Sequence, residues 1–277
     1  MVARTPRAPT VRFPPVGRCI YCGTTEGRLT EEHILPFGLH GNFVLPEASC
    51  DACAEVTAKV EGQVLRGFLE RGRLGLGLGS RHKKRKRPTS LPTTLISPDG
   101  SVAENDLPIL DSVQVIHLPV FIPPLILGGV PKYGDVEGME IMALDTLHIG
   151  DAKRVMREHA AVGIRFEDRM DTWAFIRMLA KIAHGFHIAQ QGWFPQIESP
   201  VLPVIMGTSN LAMPFIGCLE SDSLVKPGSN ALHLMDIHGI TGADGSVCTV
   251  VRIKLFAPAL GPTYAVVTRL QAKIGTE

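Results

Sequence analysis

Four cysteines in two close pairs are the residues of this sequence best suited to chemistry. Cys19 and Cys22 form one pair, and Cys50 and Cys53 form the other, with two residues inside each pair. Thiolates spaced in this way occupy neighbouring corners of a tetrahedron, so two pairs complete the ligand set of a zinc ion. Such an ion is structural, because sulfur fills every position. Two disulfides are the weaker alternative, since the chain lacks a secretion signal and a reducing cytosol keeps thiols free.

A carboxylate and a histidine lie between the two pairs. Glu32 directly precedes His33, and Asn42 follows in a segment that contains two glycines. Histidine titrates near neutral pH and can act as a general base, while a carboxylate is a ligand suited to Mg²⁺. Hydrolysis of a phosphodiester needs such a base and such a cation. Because neighbours on a strand face opposite sides, Glu32 reaches a metal ion near His33 only if the strand turns or bulges.

The elements that must position these residues follow from the local pattern. Residues 28–35 predict a short strand that Pro36 stops, and residues 37–49 predict a loop. Apolar residues recur at four-residue spacing over residues 52–69, which predicts a helix with one apolar face. Glycines crowd residues 72–79 and argue against a stable helix there.

The local residues resemble a known family. Cys-x-x-Cys-Gly, then Glu-His-Ile-Leu-Pro, a loop with Asn42, and Cys-x-x-Cys opening a helix are similar to the zinc-bearing HNH endonucleases of bacteria and phages. The likeness covers residues 18 to about 70 and implies a ββα-metal unit, in which a hairpin carries the histidine and packs against a helix. It implies that His33 is the general base, that Glu32 binds a catalytic Mg²⁺ or Mn²⁺ ion, and that Asn42 braces the loop that orients His33.

One position departs from the family pattern. The residue after the last cysteine is a second metal ligand in the family, and here it is Ala54, which has no ligand atom. Another helix residue, Asp51, Thr57 or Glu61, could replace it, although Glu61 lies roughly 10 Å further along the helix and suits indirect support. Alternatively, Glu32 holds the ion with phosphate and water, or the module binds without hydrolysing.

Charge is divided unevenly along the chain, although the net charge is only +1. Residues 1–92 hold 15 Lys and Arg against 8 Asp and Glu, and the remainder holds 13 against 19. The basic end predicts a polyanionic partner, and nucleic acid, in particular double-stranded DNA, fits the resemblance. A basic run either contacts phosphates or is only a solvated tether. Its members are Arg81, Lys83, Lys84, Arg85, Lys86 and Arg87.

The sequence predicts an α+β fold in four parts. These are a flexible arm over 1–17, the HNH module over 18–75, a glycine-rich and basic linker over 76–92, and a larger α+β domain over 93–277. Within the last part, Asp171 is expected to cap a helix that runs to Gln191. His184 and His187 on this helix are expected to pack in the core or at the surface, because their spacing is not that of a zinc-binding helix.

Composition and motifs together give three functional hypotheses. The first is a metal-dependent HNH endonuclease that hydrolyses DNA phosphodiester bonds with His33 as base. The alternative is a catalytically impaired, zinc-stabilised nucleic-acid-binding module, which Ala54 favours. In the third, the domain over 93–277 binds a protein or a small ligand and the module is an appendage. The most apolar stretch is too short and too rich in proline to span a bilayer, so a soluble, cytoplasmic protein is expected.

Overall fold

Helices and strands contribute comparably to the fold. The computed structural model describes residues 7–79, 88–134, 137–167, 169–219, 224, 231–241, 246–259 and 261–271. The helices are α1 (Asp51–Arg66), α2 (Glu70–Gly75), α3 (Ala152–Glu158), α4 (Thr172–Gln191) and α5 (Leu202–Met206). The strands are β1 (Val11–Arg12), β2 (Leu29–His33), β3 (Phe43–Cys50), β4 (Ser90–Ile96), β5 (Val102–Pro108), β6 (Gln114–Phe121), β7 (Ile141–Ile149), β8 (Gly163–Arg165), β9 (Ile216–Leu219), β10 (Leu234–Thr241), β11 (Val247–Lys254) and β12 (Thr263–Gln271). With 26% helix and 33% strand, the α+β prediction is confirmed.

A small sheet and the helix that follows it carry the cysteines and the histidine. β2 pairs antiparallel with β3, β1 pairs parallel with the other edge of β3, and α1 starts directly after β3. The register of β2 on β3 shifts between Thr30 and Glu32, so the strand is irregular just before the Glu-His pair. The hairpin and helix predicted for this region are therefore present, in the expected order.

Two predictions for this region are wrong. The loop predicted over 37–49 gives way at Phe43 to β3, a strand that tolerates Pro46 because a positive φ of 49° at Glu47 bends it there. The arm predicted over 1–17 is not free over its described part. Val11 in β1 donates its backbone N–H to the carbonyl oxygen of Asn42 at 2.8 Å, so backbone pairing holds this segment on the sheet.

Two of the four glycines in residues 72–79, Gly72 and Gly75, belong to a second helix, and the other two follow it. α2 includes Gly72 and Gly75, both of which are buried against β6. A Cβ atom at Gly72 would lie 2.1 Å from Cγ1 of Ile116, and one at Gly75 would lie 2.1 Å from Oε1 of Gln114. The prediction against a helix here is wrong because these glycines permit close packing of α2 on a strand, which outweighs their low helix propensity.

In the second part, the residue pattern predicts strands over 113–120, 139–144, 231–240, 247–256 and 264–270, and β6, β7, β10, β11 and β12 overlap these ranges. They form an antiparallel sheet in the order β10-β11-β12-β9 and a pair of β6 with β7. A third sheet, in the order β5-β4-β8, consists of strands that the sequence pattern did not reveal. α4 begins at the predicted cap, where Oδ1 of Asp171 accepts a hydrogen bond from the backbone N–H of Ala174 at 2.9 Å. No helix in the described ranges has the length and apolar character needed to cross a membrane.

The hydrophobic core crosses the predicted division at residues 76–92. Phe175 of α4 lies edge-on to Phe68, which follows α1, and to Tyr264 of β12, with ring centroids 5.5 Å apart in both contacts. All three side chains belong to one buried cluster that also contains Cys19 and Ile34. The cysteine-bearing module thus shares its core with α4, and α4 can place polar side chains inside the module.

Candidate functional site

The four cysteines converge on one point. Their Sγ atoms all lie within 4.8 Å of one another, and the Sγ atoms of Cys22 and Cys50 are 3.7 Å apart. Zinc–sulfur bonds of about 2.3 Å in a tetrahedron give sulfur–sulfur edges of about 3.8 Å, so this spacing suits zinc. Cys19 and Cys53 are buried, whereas Cys22 is exposed at the rim. Together the four cysteines could hold a metal ion such as zinc.

Local backbone geometry explains why two separate segments deliver these thiols. The first pair lies on a turn in which Gly23, with φ of 74°, donates its N–H to the carbonyl oxygen of Cys19 at 2.9 Å. Cys50 ends β3 and is the N-cap of α1, while Cys53 lies in the first turn of that helix. Burial and the neighbouring sulfur of Cys19 raise the pKa of the Cys53 thiol. A bound cation is therefore needed for all four groups to be thiolates.

Side chains from the second half of the chain hold the turn of the first cysteine pair. Nε2 of His184 on α4 lies 2.9 Å from the carbonyl oxygen of Ile20, and Nε2 of Gln196 donates to the carbonyl oxygen of Tyr21. Burial lowers the pKa of His184 to about 4, so its imidazole is neutral at physiological pH and donates through Nε2–H. His184 and His187 both lie in the core, where packing was expected to place them.

His33 and Glu32 face opposite sides of β2, as strand geometry requires. His33 is half-buried, and its ring lies edge-on to Phe37 with centroids 6.4 Å apart. Glu32 is only 6% exposed and points toward α4, where its Oε1 atom lies 2.6 Å from Nζ of Lys181. The register shift in β2 therefore does not bring the carboxylate to the histidine side of the strand.

Lys181 is surrounded by oxygen atoms of the module. Besides Glu32, its Nζ atom lies 2.7 Å from Oε1 of Glu61 on α1 and 3.3 Å from the carbonyl oxygen of Ile34, and it also donates to the carbonyl oxygen of His33. Burial lowers the pKa of Lys181, but the charges of Glu32 and Glu61 outweigh this effect and raise it above its usual value. The group is thus an ammonium ion held between β2 and α1.

A catalytic Mg²⁺ or Mn²⁺ ion does not fit these residues. The carboxylate expected to bind it, Glu32, is buried and paired with Lys181, and Ala54 has no ligand atom. Glu61 contacts the same ammonium, and Thr57 uses its hydroxyl to donate to carbonyl oxygens of its own helix. In the part of the chain that the structure describes, the four cysteines are the only group of three or more His, Cys, Asp or Glu side chains whose ligand atoms lie close enough to share an ion.

Asn42 and the residues around Phe37 form the surface on the histidine side. Nδ2 of Asn42 donates to the carbonyl oxygen of Pro9 at 2.9 Å, so Asn42 holds the β1 segment to the sheet. The guanidinium of Arg7 lies 4.3 Å from the ring centre of Phe37, and Arg7 also donates to the carbonyl oxygen of Gly41 at 2.7 Å. Arg7 and His33 therefore flank the same aromatic ring.

The basic run 81–87 lies outside the described residues, but the chain leading to it can be placed. Gly79 lies beside Phe37 and His40, since a Cβ atom there would be 3.2 Å from a ring carbon of Phe37. Arg73 fixes this exit by donating to the carbonyl oxygens of Gly38 and Gly79 at 2.6 and 3.1 Å. Gly79, the last described residue before the run, therefore lies on the His33 side of the hairpin.

Comparison of the chain with protein-family models, curated proteins and solved structures gives no significant match. The sites described above therefore rest on the residues and their geometry alone.

Several of the residues that sequence reasoning missed come from the second half of the chain. Lys181, His184 and Gln196 donate to backbone or carboxylate oxygens of the module. One signal was available for Lys181, because a lysine inside a helix whose other residues are mostly apolar is buried only when it is paired. Nothing in the sequence identifies the partners of Lys181, which lie 120 or more residues away.

Proposed function

We propose that this chain is a zinc-stabilised nucleic-acid-binding protein built on an HNH-type module, and that it binds DNA without divalent-dependent cleavage. The observation that carries this choice is the pairing of Glu32 with Lys181, 2.6 Å apart in a buried position. A carboxylate neutralised by a buried ammonium is a poor ligand for Mg²⁺, and Ala54 supplies no second one. Hydrolysis by this route would lack the cation that stabilises the developing charge.

In this proposal the four cysteines bind one structural zinc ion. Cys19 and Cys22 belong to a turn, whereas Cys50 and Cys53 belong to the junction of β3 and α1. When bound, the ion joins these segments and fixes the hairpin against the helix. Four thiolates leave no position for substrate, so the ion serves folding only.

The nucleic-acid contact is assigned to the histidine side of the hairpin. His33, Arg7 and the exit of the chain at Gly79 all lie next to Phe37, and six of the seven residues from Arg81 to Arg87 are basic. Arg7 supplies a cationic side chain here, while Glu32 is buried against Lys181. Electrostatic contacts between cationic side chains and backbone phosphates do not depend on base sequence. The expected partner is therefore double-stranded DNA of any sequence.

Phosphodiester hydrolysis with His33 as general base is the second candidate. Its supporting observation is that His33 is only partly buried and flanks the same Phe37 ring as Arg7. A base in that position could accept a proton from water, and a positioned base contributes about 10²–10⁴ in rate. The missing element is a cation for the scissile phosphate, which makes this candidate weaker.

One pair of assays separates the candidates. Supercoiled plasmid is incubated with zinc-loaded protein and Mg²⁺ or Mn²⁺, beside a His33→Ala variant, while binding of labelled duplex is followed by fluorescence anisotropy. The binding proposal expects duplex binding by both proteins and nicking by neither. Nicking that requires the divalent ion and disappears in His33→Ala would establish the nuclease. Absence of both binding and nicking would overturn both candidates.

A further inference from the structure

We propose that Lys181 is a built-in cation that permanently fills an oxygen-lined cation site between β2 and α1. Its ammonium takes the place of a divalent ion there, so the native chain binds none at this point. The cation site stands on geometry alone, and only its consequence for DNA binding, independence from divalent ions, rests on the proposed function.

The first argument is the ligand set. Two carboxylate oxygens and two backbone carbonyl oxygens approach the ammonium, from Glu32, Glu61, His33 and Ile34. Carboxylate and carbonyl oxygens are the donors that hard cations such as Mg²⁺, Ca²⁺ and Mn²⁺ take in proteins. The side chains of Lys181, Glu32 and Glu61 are 2%, 8% and 22% exposed, so water contributes little to solvating the centre.

The second argument is charge. Without Lys181, the site would hold two carboxylates in a largely buried position, and a charge left there unpaired is strongly unfavourable. A single ammonium neutralises one of the two negative charges, and a divalent ion would neutralise both. Removing the lysine side chain therefore creates a site whose charge and donors both favour a divalent ion.

The third argument is access and space. A small cleft of about 170 Å³, open mouth included, lies beside the ammonium and is lined by Thr57, Glu61, Arg177 and Lys181 among others. Truncation of Lys181 to alanine adds the volume of three methylene groups and the ammonium to this cleft. The space left by the lysine borders Glu61, which lines the cleft, and Glu32, which contacts the same ammonium.

The test compares Mn²⁺ binding by the zinc-loaded wild type and by Lys181→Ala, using electron paramagnetic resonance to count bound ions and thermal melting to follow stability. The variant is expected to bind one Mn²⁺ ion. Its melting temperature should rise by roughly 5–10 °C when Mn²⁺ is at about 100 times its Kd. The wild type is expected to show neither effect. Arg177→Ala is the matched control, because Arg177 lies one turn away on α4 and donates to the carbonyl oxygen of Ile205 instead.

Several outcomes would overturn the inference. Mn²⁺ binding by the wild type that is lost in Glu32→Gln would show that a metal ion displaces the lysine in the native protein. A folded Lys181→Ala that gains no Mn²⁺ would show that the oxygens do not form a cation site. If Lys181→Ala does not fold alone, refolding with Mn²⁺ replaces the melting comparison, and failure to refold then counts against the proposal. If the Mn²⁺ results are as expected but the wild type does not bind duplex DNA, only the proposed function is refuted.

Discussion

Two buried centres tie the hairpin of this protein to its helices, and they differ in where the positive charge comes from. The cysteine centre joins the turn at Cys19 to the start of α1 and has only sulfur atoms, which need an external ion. The lysine centre joins β2 and α1 to α4, and Lys181 supplies the charge itself. A metal ion can be lost, whereas a lysine is lost only by mutation.

The two centres also differ in how far apart their residues lie in the sequence. The cysteine centre uses four residues within 35 positions of one another, so it can form locally. The lysine centre cannot form until α4 has docked on the module, because its ammonium and its carboxylates are 120 or more residues apart. If the cysteines bind zinc as proposed, the ion stabilises the module locally, while the contacts of Lys181 join α4 to the module.

The largest expected effect comes from removing the metal ligands. Structural zinc contributes about 10–16 kcal/mol in isolated zinc fingers, which exceeds the total stability of many domains. A Cys50→Ser, Cys53→Ser double variant should lose zinc and the folded hairpin. Zinc content by mass spectrometry and far-ultraviolet circular dichroism measure both. Cys248→Ser, outside the cluster, is the control, and stoichiometric zinc in the double variant would refute the assignment.

A smaller effect is expected when the lysine centre is broken. Removing one partner of a buried ion pair typically costs about 3–5 kcal/mol, because the other charge remains buried and unpaired. In buffer without added divalent ions, denaturant titration of zinc-loaded Lys181→Ala should therefore show a free energy of unfolding well below that of the wild type. A triple variant in which Lys181, Glu32 and Glu61 all become methionine should recover much of it. A triple variant as unstable as Lys181→Ala would contradict this explanation.

The two centres also differ in how far the sequence could predict them. The cysteine spacing is a local signal, and the four Sγ atoms do come together. The Asp171 cap and α4 were equally local and were predicted correctly. Glu32, by contrast, was expected to bind a divalent ion because of its neighbour, His33, yet its partner is decided by tertiary packing. The same limit applies to Gly72, because local helix propensity carries no information about its packing against β6.

DNA binding should depend on neither centre directly if the basic run binds the phosphates. Replacing the six basic residues of Arg81–Arg87 with glutamine should weaken duplex binding for all sequences. The slope of log affinity against log salt should fall by about 0.9 for each phosphate that the variant no longer neutralises. Anisotropy titrations at several salt concentrations measure the slope, and melting temperature and zinc content should stay unchanged. An unchanged slope would mean that the run is only a tether.

The effect that is smallest at neutral pH comes from two buried histidines. Burial lowers the pKa of His184 to about 4 from an ordinary value of 6.5, and lowers that of His233 to about 3. Both imidazoles contact carbonyl oxygens of the module, at Ile20 and Leu39, each at 2.9 Å. Above pH 6.5 neither the folded nor the unfolded state holds these protons. Below it the unfolded state takes them up first, so stability falls as pH falls from about 6.5 toward 4.

Each buried histidine steepens this fall by up to about 1.4 kcal/mol per pH unit. A His184→Gln, His233→Gln variant keeps a donor for each carbonyl and removes both protonation sites. Its free energy of unfolding should therefore depend less on pH between 6.5 and 4 than that of the wild type. Denaturant titrations at half-unit pH steps measure the difference, and zinc content measured at each pH separates it from loss of the ion. The lysine centre is the same in both proteins, so the raised pKa of Lys181 and the pKa of Glu32, which burial raises, contribute equally to both curves. Equal pH dependence in the two proteins would show that the histidines do not link acid sensitivity to the cysteine turn.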